Sequence, residues 1–199
     1  MRALPVWVKW RIRGNLFLSR IESLFLPSPK RSYLNQALVR AICREEEHNV
    51  AIFLQRGASP NQNLRRTIPL LPYQVCQRNI GIVRLLLEAG AKVDVREATG
   101  DTSLLIAVKR NDPEMVGLLL SHGARVDARG YIGLVPLIYA AGRGYTETAR
   151  LLLEHGADPD LRCPDGRTAE EYAVGYHHEE IVEMCAVYRA RITSSASVF

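Results

Sequence analysis

Five arginines occupy two series of equivalent positions in this chain. The positions are Arg96, Arg129 and Arg162 in one series and Arg110 and Arg143 in the other, with the same interval between all neighbours. A guanidinium group is a planar fork of N–H donors that matches the oxygens of a carboxylate or a phosphate. If each interval is one structural unit, stacked units would set equivalent arginines about 10 Å apart. Each row would then bind acidic groups of a partner, unless the arginines pair with neighbouring carboxylates such as Glu97 and Asp127.

A second group of residues contains ligand types that metals use. His177 and His178 are followed by Glu179, Glu180 and, further on, Cys185. Adjacent residues of a helix point about 100° apart, so the two imidazoles would not converge on one ion. We therefore expect no metal at this place.

The remaining chemistry-bearing residues form no catalytic pattern. The four cysteines, Cys43, Cys76, Cys163 and Cys185, include no C-x-x-C pair and fit neither a disulfide framework nor a zinc site. They are typical of reduced thiols in an intracellular protein. No nucleophile elbow, P-loop, HExxH motif or dinucleotide-binding glycine pattern occurs. We expect no enzymatic activity and no cofactor.

The elements that would position the arginines follow from a repeat. A seven-residue phrase recurs at 52–58, 85–91, 118–124 and 151–157, and its glycines, Gly57, Gly90, Gly123 and Gly156, keep one constant interval without a slip. An apolar triplet ends a helix in each phrase, and the glycine turns the chain out of that helix at positive φ. A polar hairpin and a shorter helix follow. Because neither helix of a unit can bury its apolar face alone, the units must stack.

These units resemble the ankyrin repeat, whose period is about 33 residues. The family pattern has a glycine-containing hairpin, a Thr-Pro-Leu-His-like start of the first helix, a small-residue pair and a second helix ending Leu-Leu-Leu-x-x-Gly-Ala. Residues 97–129 match it at Gly100, Thr102, Leu104, Ala107, Val116, Leu119, Leu120, Gly123 and Ala124. Residues 130–162 match it at Gly133, Pro136, Leu137, Ala140, Ala141, Gly144, Leu152, Leu153, Gly156 and Ala157. The resemblance implies an all-α solenoid of helix-turn-helix units joined by β-hairpin loops, with about four and a half repeats. The segment 166–178 is also similar to the closing repeat of POTE-type vertebrate ankyrin proteins.

We divide the chain into an arm at 1–32, an ankyrin-repeat domain at 33–191 and a tail at 192–199. The repeats are 33–63, a degenerate N-terminal cap without a hairpin, then 64–96, 97–129, 130–162 and the C-terminal cap 163–191. Val135 replaces the threonine that helps to close the turn, which predicts a looser hairpin. Gln74 replaces the usual alanine, which predicts a distorted second repeat, and Pro72 requires a place in the first turn of its helix.

The resemblance also implies where a partner would bind. Ankyrin proteins use hairpin tips and the exposed side of the first helices, which line a concave face. The equivalent positions here, transferred one by one, are Arg96, Thr99, Asp101, Lys109, Arg110, Arg129, Tyr131, Ile132, Leu134, Arg143, Arg162, Asp165 and Arg167. We expect a monomeric adaptor that binds a protein partner with acidic groups.

One hairpin tip differs from the family pattern because it is apolar. It reads Tyr131-Ile132-Gly133-Leu134-Val135. Exposed apolar patches mark contact sites, and tyrosine is a frequent anchor of binding energy. The alternative is that this tip folds onto the neighbouring Cys163-Pro164 tip and is buried.

Charge separates the N-terminal arm from the remainder. The net charge is +5, of which residues 1–32 contribute +6 and the remainder −1. The repeats therefore lack the basic excess of a nucleic-acid-binding domain, and no nucleic acid is expected.

Three interpretations of the arm compete. It is Arg-rich and acid-poor like a mitochondrial presequence. Its tryptophans, Trp7 and Trp10, alternate with cations, which favours contact with a membrane surface. It could also pack over the first repeat or lack order, and its apolar residues form no clean helical stripe. The alternative function is thus a membrane- or mitochondrion-associated protein directed by its arm.

The ending Ser197-Val198-Phe199 resembles a PDZ ligand, which adds a strand to a sheet edge. No apolar run reaches the ~18 residues of a membrane span. We expect an intracellular location, in the cytoplasm, the nucleus or both.

Overall fold

The computed structural model describes residues 30–64 and 67–196, and side chains as far as residue 191. The helices are α1 Arg31–Cys43, α2 Glu47–Gln55, α3 Leu70–Cys76, α4 Ile80–Glu88, α5 Ser103–Lys109, α6 Pro113–Ser121, α7 Pro136–Arg143, α8 Thr146–Glu154, α9 Ala169–Gly175 and α10 Glu179–Ala196. Strands β1 Asn63–Leu64 and β2 Ile68–Pro69 pair antiparallel. The predictions made for residues 1–29 and for Ser197–Phe199 lie outside the described residues. Within those residues, none of the helices has the length and hydropathy that crossing a bilayer requires.

The helices form two layers. First helices of successive units pack together, α3 on α5, α5 on α7 and α7 on α9. Second helices form the other layer, with α2 on α4, α6 on α8 and α8 on α10. Each first helix also packs on the second helix of its own unit. The predicted all-α solenoid of stacked helix pairs is confirmed.

The core lies between the layers and repeats with the units. Leu86, Leu119, Leu152 and Cys185 occupy one column of the second helices, and each is 0% exposed. Burial of one such leucine side chain contributes about 1.5–3 kcal/mol. Because these units each place the side chain of this column at the equivalent position of the second helix, stacking builds one continuous core.

The second unit departs from this regularity without losing its helix. Pro72 is the third residue of α3, so its predicted place in a first turn is confirmed. Gln74 occupies a column of alanines, namely Ala107, Ala140 and Ala173, and is only 1% exposed. Its Oε1 has no hydrogen-bond partner within the described residues, and such an unsatisfied atom costs about 1–3 kcal/mol. α3 nevertheless has 7 residues, the same number as α5. The distortion predicted from Gln74 therefore does not shorten the helix.

A left-handed residue joins the two helices of each unit. Glu45, Arg78, Asn111, Gly144 and His177 take equivalent places in successive units, with φ of 57°, 60°, 47°, 70° and 61°. Only Gly144 adopts this conformation without a steric penalty from a Cβ atom. His177 therefore lies in a turn, and it does not share a helix with His178.

The hairpin of the fourth unit is as tightly closed as its neighbours. Thr102 and Thr168 cap α5 and α9 through their side-chain oxygens, whereas Val135 caps α7 without a side-chain bond. The Gly130 N–H nevertheless donates to the Leu134 carbonyl at 2.9 Å, and the equivalent bonds of the adjacent units measure 3.0 Å. The bond that closes the turn is therefore not lengthened, and Val135 is fully buried. The Arg96–Thr102 bridge of the third unit has no counterpart at Arg129 and Val135.

Side chains of one column tie each unit to the next at the start of the hairpins. The Asn61 Oδ1 accepts from the Lys92 N–H at 2.8 Å, Asp94 from Arg125 at 3.1 Å and Asp127 from Asp158 at 3.4 Å. Asp160, the last member, instead accepts from Arg189 Nε at 2.7 Å. Arg189 also reaches Glu170 at 2.6 Å. α10 thereby closes the ladder that positions the hairpins.

Candidate functional site

The hairpin arginines bind main-chain carbonyls. Arg96 Nη1 donates to the carbonyls of Gly100 at 2.5 Å and Arg129 at 2.7 Å. Arg129 Nη1 donates in the same way to Gly133 at 3.1 Å and Arg162 at 3.0 Å. These bonds run to neither Glu97 nor Asp127, the carboxylates that the sequence suggested. The arginine row fastens each tip to the next, and binding of a partner by its remaining N–H groups stays a prediction.

The last arginine of this row has no further hairpin to bind. Arg162 Nη1 donates to the Gly166 carbonyl at 2.6 Å and lies 3.5 Å from the Glu171 carboxylate. Of the two interpretations made from the sequence, internal pairing with a carboxylate therefore holds for Arg162, through Glu171.

The apolar tip of the fourth unit is exposed. Tyr131 is 79% and Ile132 64% exposed. The turn between the tips is nevertheless close-packed, because a Cβ on Gly133 would lie 2.7 Å from Pro164 and one on Gly100 would lie 3.3 Å from the Tyr131 Cβ. The neighbouring tip thus supports the backbone and leaves both side chains in solvent. The alternative that this tip is buried is wrong for Tyr131 and Ile132, whereas Leu134 is half-buried against the core and Val135 is fully buried.

Asp101 is buried and binds the backbone of this tip. It is only 6% exposed, and its carboxylate binds Lys109 Nζ and accepts from the Tyr131 N–H at 3.3 Å. The sequence placed Asp101 and Lys109 among the partner-binding residues. The structure corrects this for Asp101, because its buried carboxylate already binds Lys109 and the Tyr131 N–H. Lys109 is paired but remains partly accessible.

Two grooves flank the exposed tip on the face formed by the first helices and hairpins. The first has a volume of about 470 Å³ and is lined by Cys76, Glu97, Thr99, Asp101, Ile106, Lys109, Arg110, Tyr131 and Ile132. Six of these residues were predicted from the sequence. Cys76 faces the groove beside Arg110. Burial is the main cause that raises the pKa of its thiol, and the negative charge of Glu97 is the second. Cys76 is therefore a protonated, weakly nucleophilic thiol at neutral pH.

The second groove is aromatic. It has a volume of about 360 Å³ and is lined by Leu134, Ile138, Tyr139, Gly142, Arg143, Tyr172 and Tyr176. The Arg143 guanidinium lies 5.5 Å from the centroid of the Tyr139 ring. A Cβ on Gly142 would lie 3.4 Å from Tyr172, so this glycine lets the ring approach α7. The groove combines one cation with three aromatic walls.

Hydrogen bonds fix the position of Tyr172 in the fifth unit. The Tyr172 hydroxyl donates to Asp165 Oδ2 at 2.5 Å, and the Cys163 thiol also donates to Asp165. The bond from Cys163 is the largest cause, and the bond from Tyr172 the second, that lowers the pKa of Asp165 to about 2. The bond to Asp165 in turn is the largest cause that raises the pKa of Tyr172. Arg167 lies over the other side of the ring, 5.8 Å from its centroid. Asp165 and Arg167 thus position Tyr172 and are themselves exposed.

The sequence prediction missed Cys76 and the three tyrosines of the aromatic groove. A signal for the tyrosines existed. Tyr139 and Tyr172 are separated by one full repeat, and Tyr176 continues the column of Arg110 and Arg143. Equivalent positions on adjacent first helices are neighbours in a stack, so the column pattern alone places these side chains together.

Comparison with known proteins agrees with this architecture. The family model described as ankyrin repeats (3 copies) matches residues 38–130 and 127–195. The comparison with curated proteins finds no match.

Proposed function

Because this chain belongs to the ankyrin-repeat family, whose repeats generally bind proteins and typically have no catalytic role, we propose that it is an adaptor that holds a protein partner. The proposed site is the concave face, by which we mean the hairpin tips and first helices of residues 96–110, 129–143 and 162–176.

The observation that supports this site is the exposure of Tyr131 and Ile132. Both side chains are more than half exposed, although the backbone that carries them is fixed by Gly133 and Asp101. A rigid backbone with exposed aromatic and aliphatic side chains binds at low entropic cost. Tyrosine is one of the residue types that supply most of the energy of a protein interface.

The two grooves extend this anchor in both directions along the stack. The first contains Lys109 and Arg110, and the second contains Arg143. A partner centred on the tip would therefore contact three units. This extent suits a specific interface, which buries about 800 Å² on each partner.

The test is site-specific cross-linking with the full chain. A photoreactive phenylalanine analogue replaces Ile132, and the matched control carries it at Val187, an exposed aliphatic residue on α10 that is 49% exposed. We expect a protein to be cross-linked in cells by the Ile132 probe and not by the Val187 probe. Identical cross-linked species from both positions, or none from Ile132, would overturn the proposal.

A further inference from the structure

The two arginines at the ends of the first helices of the third and fourth units have no carboxylate partner within the described residues. They are Arg110, which follows α5, and Arg143, the last residue of α7. Arg110 lines the first groove with Cys76, and Arg143 lies over Tyr139. Stacking on a ring orients a guanidinium and leaves its in-plane N–H groups accessible. Both side chains are exposed.

The acidic groups of this face are already engaged. Asp101 is paired with Lys109, and the Glu97 carboxylate binds the Thr99 hydroxyl at 2.5 Å. Residues 130–146 contain no Asp or Glu. Glu97 keeps its negative charge, because a hydroxyl does not neutralise it. The three ranges that define the concave face nevertheless contain seven cations and five acidic residues, so its net charge is +2.

The opposite layer has the reverse charge. α4, α6 and α8 contain two arginines, Arg84 and Arg150, and four glutamates, Glu88, Glu114, Glu147 and Glu154. Electrostatic complementarity steers a partner toward the face of opposite sign. An acidic partner would therefore approach the concave face and avoid the second helices.

The separation of the two arginines limits how the acidic groups can be arranged. Equivalent backbone positions of packed helices lie about 8–10 Å apart, so each guanidinium group can bind an acidic group of its own. Two carboxylates, one for each arginine, fit this separation. In polyproline II conformation the rise is about 3.1 Å per residue with three residues per turn, so residues i and i+3 lie on one side and about 9 Å apart.

The aromatic rings of the two grooves favour the same conformation. Tyr131 lines the first groove with Arg110, and Tyr139, Tyr172 and Tyr176 line the second groove with Arg143. The Tyr172 and Tyr176 rings are nearly parallel, at 16°, with centroids 6.4 Å apart. Grooves lined by aromatic rings bind proline-rich segments, whose polyproline II conformation is largely formed before binding.

We propose that the concave face recognises a proline-rich segment of its partner with two carboxylates three residues apart, one bound by Arg110 and one by Arg143. This inference rests on the proposed function and specifies the chemistry of its partner. The two fail separately: a cross-link from Ile132 to a protein without such a segment would leave the adaptor function intact.

The experiment measures fluorescence anisotropy of labelled peptides with the full chain. The probe is a proline-rich peptide with glutamates at i and i+3, and the control peptides have the glutamates at i and i+2 or both replaced by glutamine. The protein variants are Arg110→Gln and Arg143→Gln. Arg84→Gln, an exposed arginine of α4, is the matched control.

We expect saturable binding of the i, i+3 peptide and at least about tenfold weaker binding of both control peptides. Each of Arg110→Gln and Arg143→Gln should weaken binding about tenfold, and Arg84→Gln should leave it unchanged. Absence of saturable binding, equal affinity for the glutamine peptide, or equal effects of all three arginine substitutions would overturn the proposal.

Discussion

Arg129 donates a hydrogen bond from Nη1 to the carbonyl of Arg162, its equivalent in the next unit, at 3.0 Å. The same atom donates to the Gly133 carbonyl at 3.1 Å. One side chain thus fixes the tip of its own hairpin and joins it to the following one. Because Arg96 repeats this arrangement with Arg129, order at one tip depends on order at its neighbours, and Tyr131 is presented from a rigid support.

Replacing Arg129 with alanine should destabilise the array. Two charge-assisted hydrogen bonds are lost, and because the side chain is exposed we expect a loss of about 1 kcal/mol in the free energy of unfolding. Urea denaturation measures it. Arg125→Ala is the control, because Arg125 is also exposed and its hydrogen bonds within the described residues come from its backbone. Equal unfolding midpoints for both variants would contradict the role of Arg129.

Asp127→Asn should stabilise the protein at neutral pH. Desolvation is the main cause that raises the pKa of Asp127, so folding disfavours its charged form. The ionised carboxylate therefore destabilises the folded protein above the raised pKa, and this destabilisation vanishes as pH falls below the ordinary value of 3.8. Asparagine can still accept the Asp158 N–H, as Asn61 accepts that of Lys92. Thermal unfolding should show a rise on the order of 1 °C at pH 7 and none near pH 3. A lower melting temperature at pH 7 would contradict this account.

The titration of Asp165 should depend on Tyr172. Hydrogen bonds from Cys163 and Tyr172 hold the pKa of Asp165 at about 2, below the ordinary 3.8. Any stability that the ionised group provides is therefore complete above the ordinary pKa and is lost as pH falls toward 2. Tyr172→Phe should raise the pKa of Asp165, as followed by NMR of its carboxyl carbon. Tyr176→Phe should not, and an unchanged titration in Tyr172→Phe would contradict the assignment.

Two glycine-to-alanine substitutions should have opposite effects. Gly144 has φ of 70°, and a Cβ there would lie 2.6 Å from the His178 ring, so Gly144→Ala should cost about 1–2 kcal/mol. Gly117 lies within α6 with nothing within 4 Å of its added Cβ, so Gly117→Ala should stabilise by about 0.5–1 kcal/mol. Chemical denaturation of both variants checks the signs, and stabilisation by Gly144→Ala would contradict the described turn.

The stack could be predicted from sequence because its determinants are local and repeated. Gly57, Gly90, Gly123 and Gly156 have φ of 81–92°, as a turn out of a helix requires. The leucine column of Leu86, Leu119 and Leu152 is buried, as the stacking argument demanded. Each of these inferences needs only the residue type and its place in the repeat.

The details of the binding face depend on neighbours that sequence does not locate. An exposed arginine can bind a carboxylate or a carbonyl, and the Arg162 carbonyl becomes the partner of Arg129 only when the hairpins lie side by side. Asp101 is equally ambiguous, since its burial requires the next tip to cover it. For the same reason the exposure of Tyr131 depends on where Pro164 lies beside Gly133.

The central claim is that the Tyr131–Ile132 tip anchors a protein partner. The most direct test is the affinity of the full chain for the protein cross-linked at Ile132, compared between Tyr131→Ala with Ile132→Ala and a matched double variant, Tyr33→Ala with Val187→Ala. The control pair is also exposed, at 54% and 49%, and lies on the two caps. We predict at least about a tenfold loss for the tip variant, unchanged affinity for the control and the same unfolding midpoint for both. Equal affinity of the two variants would contradict the claim.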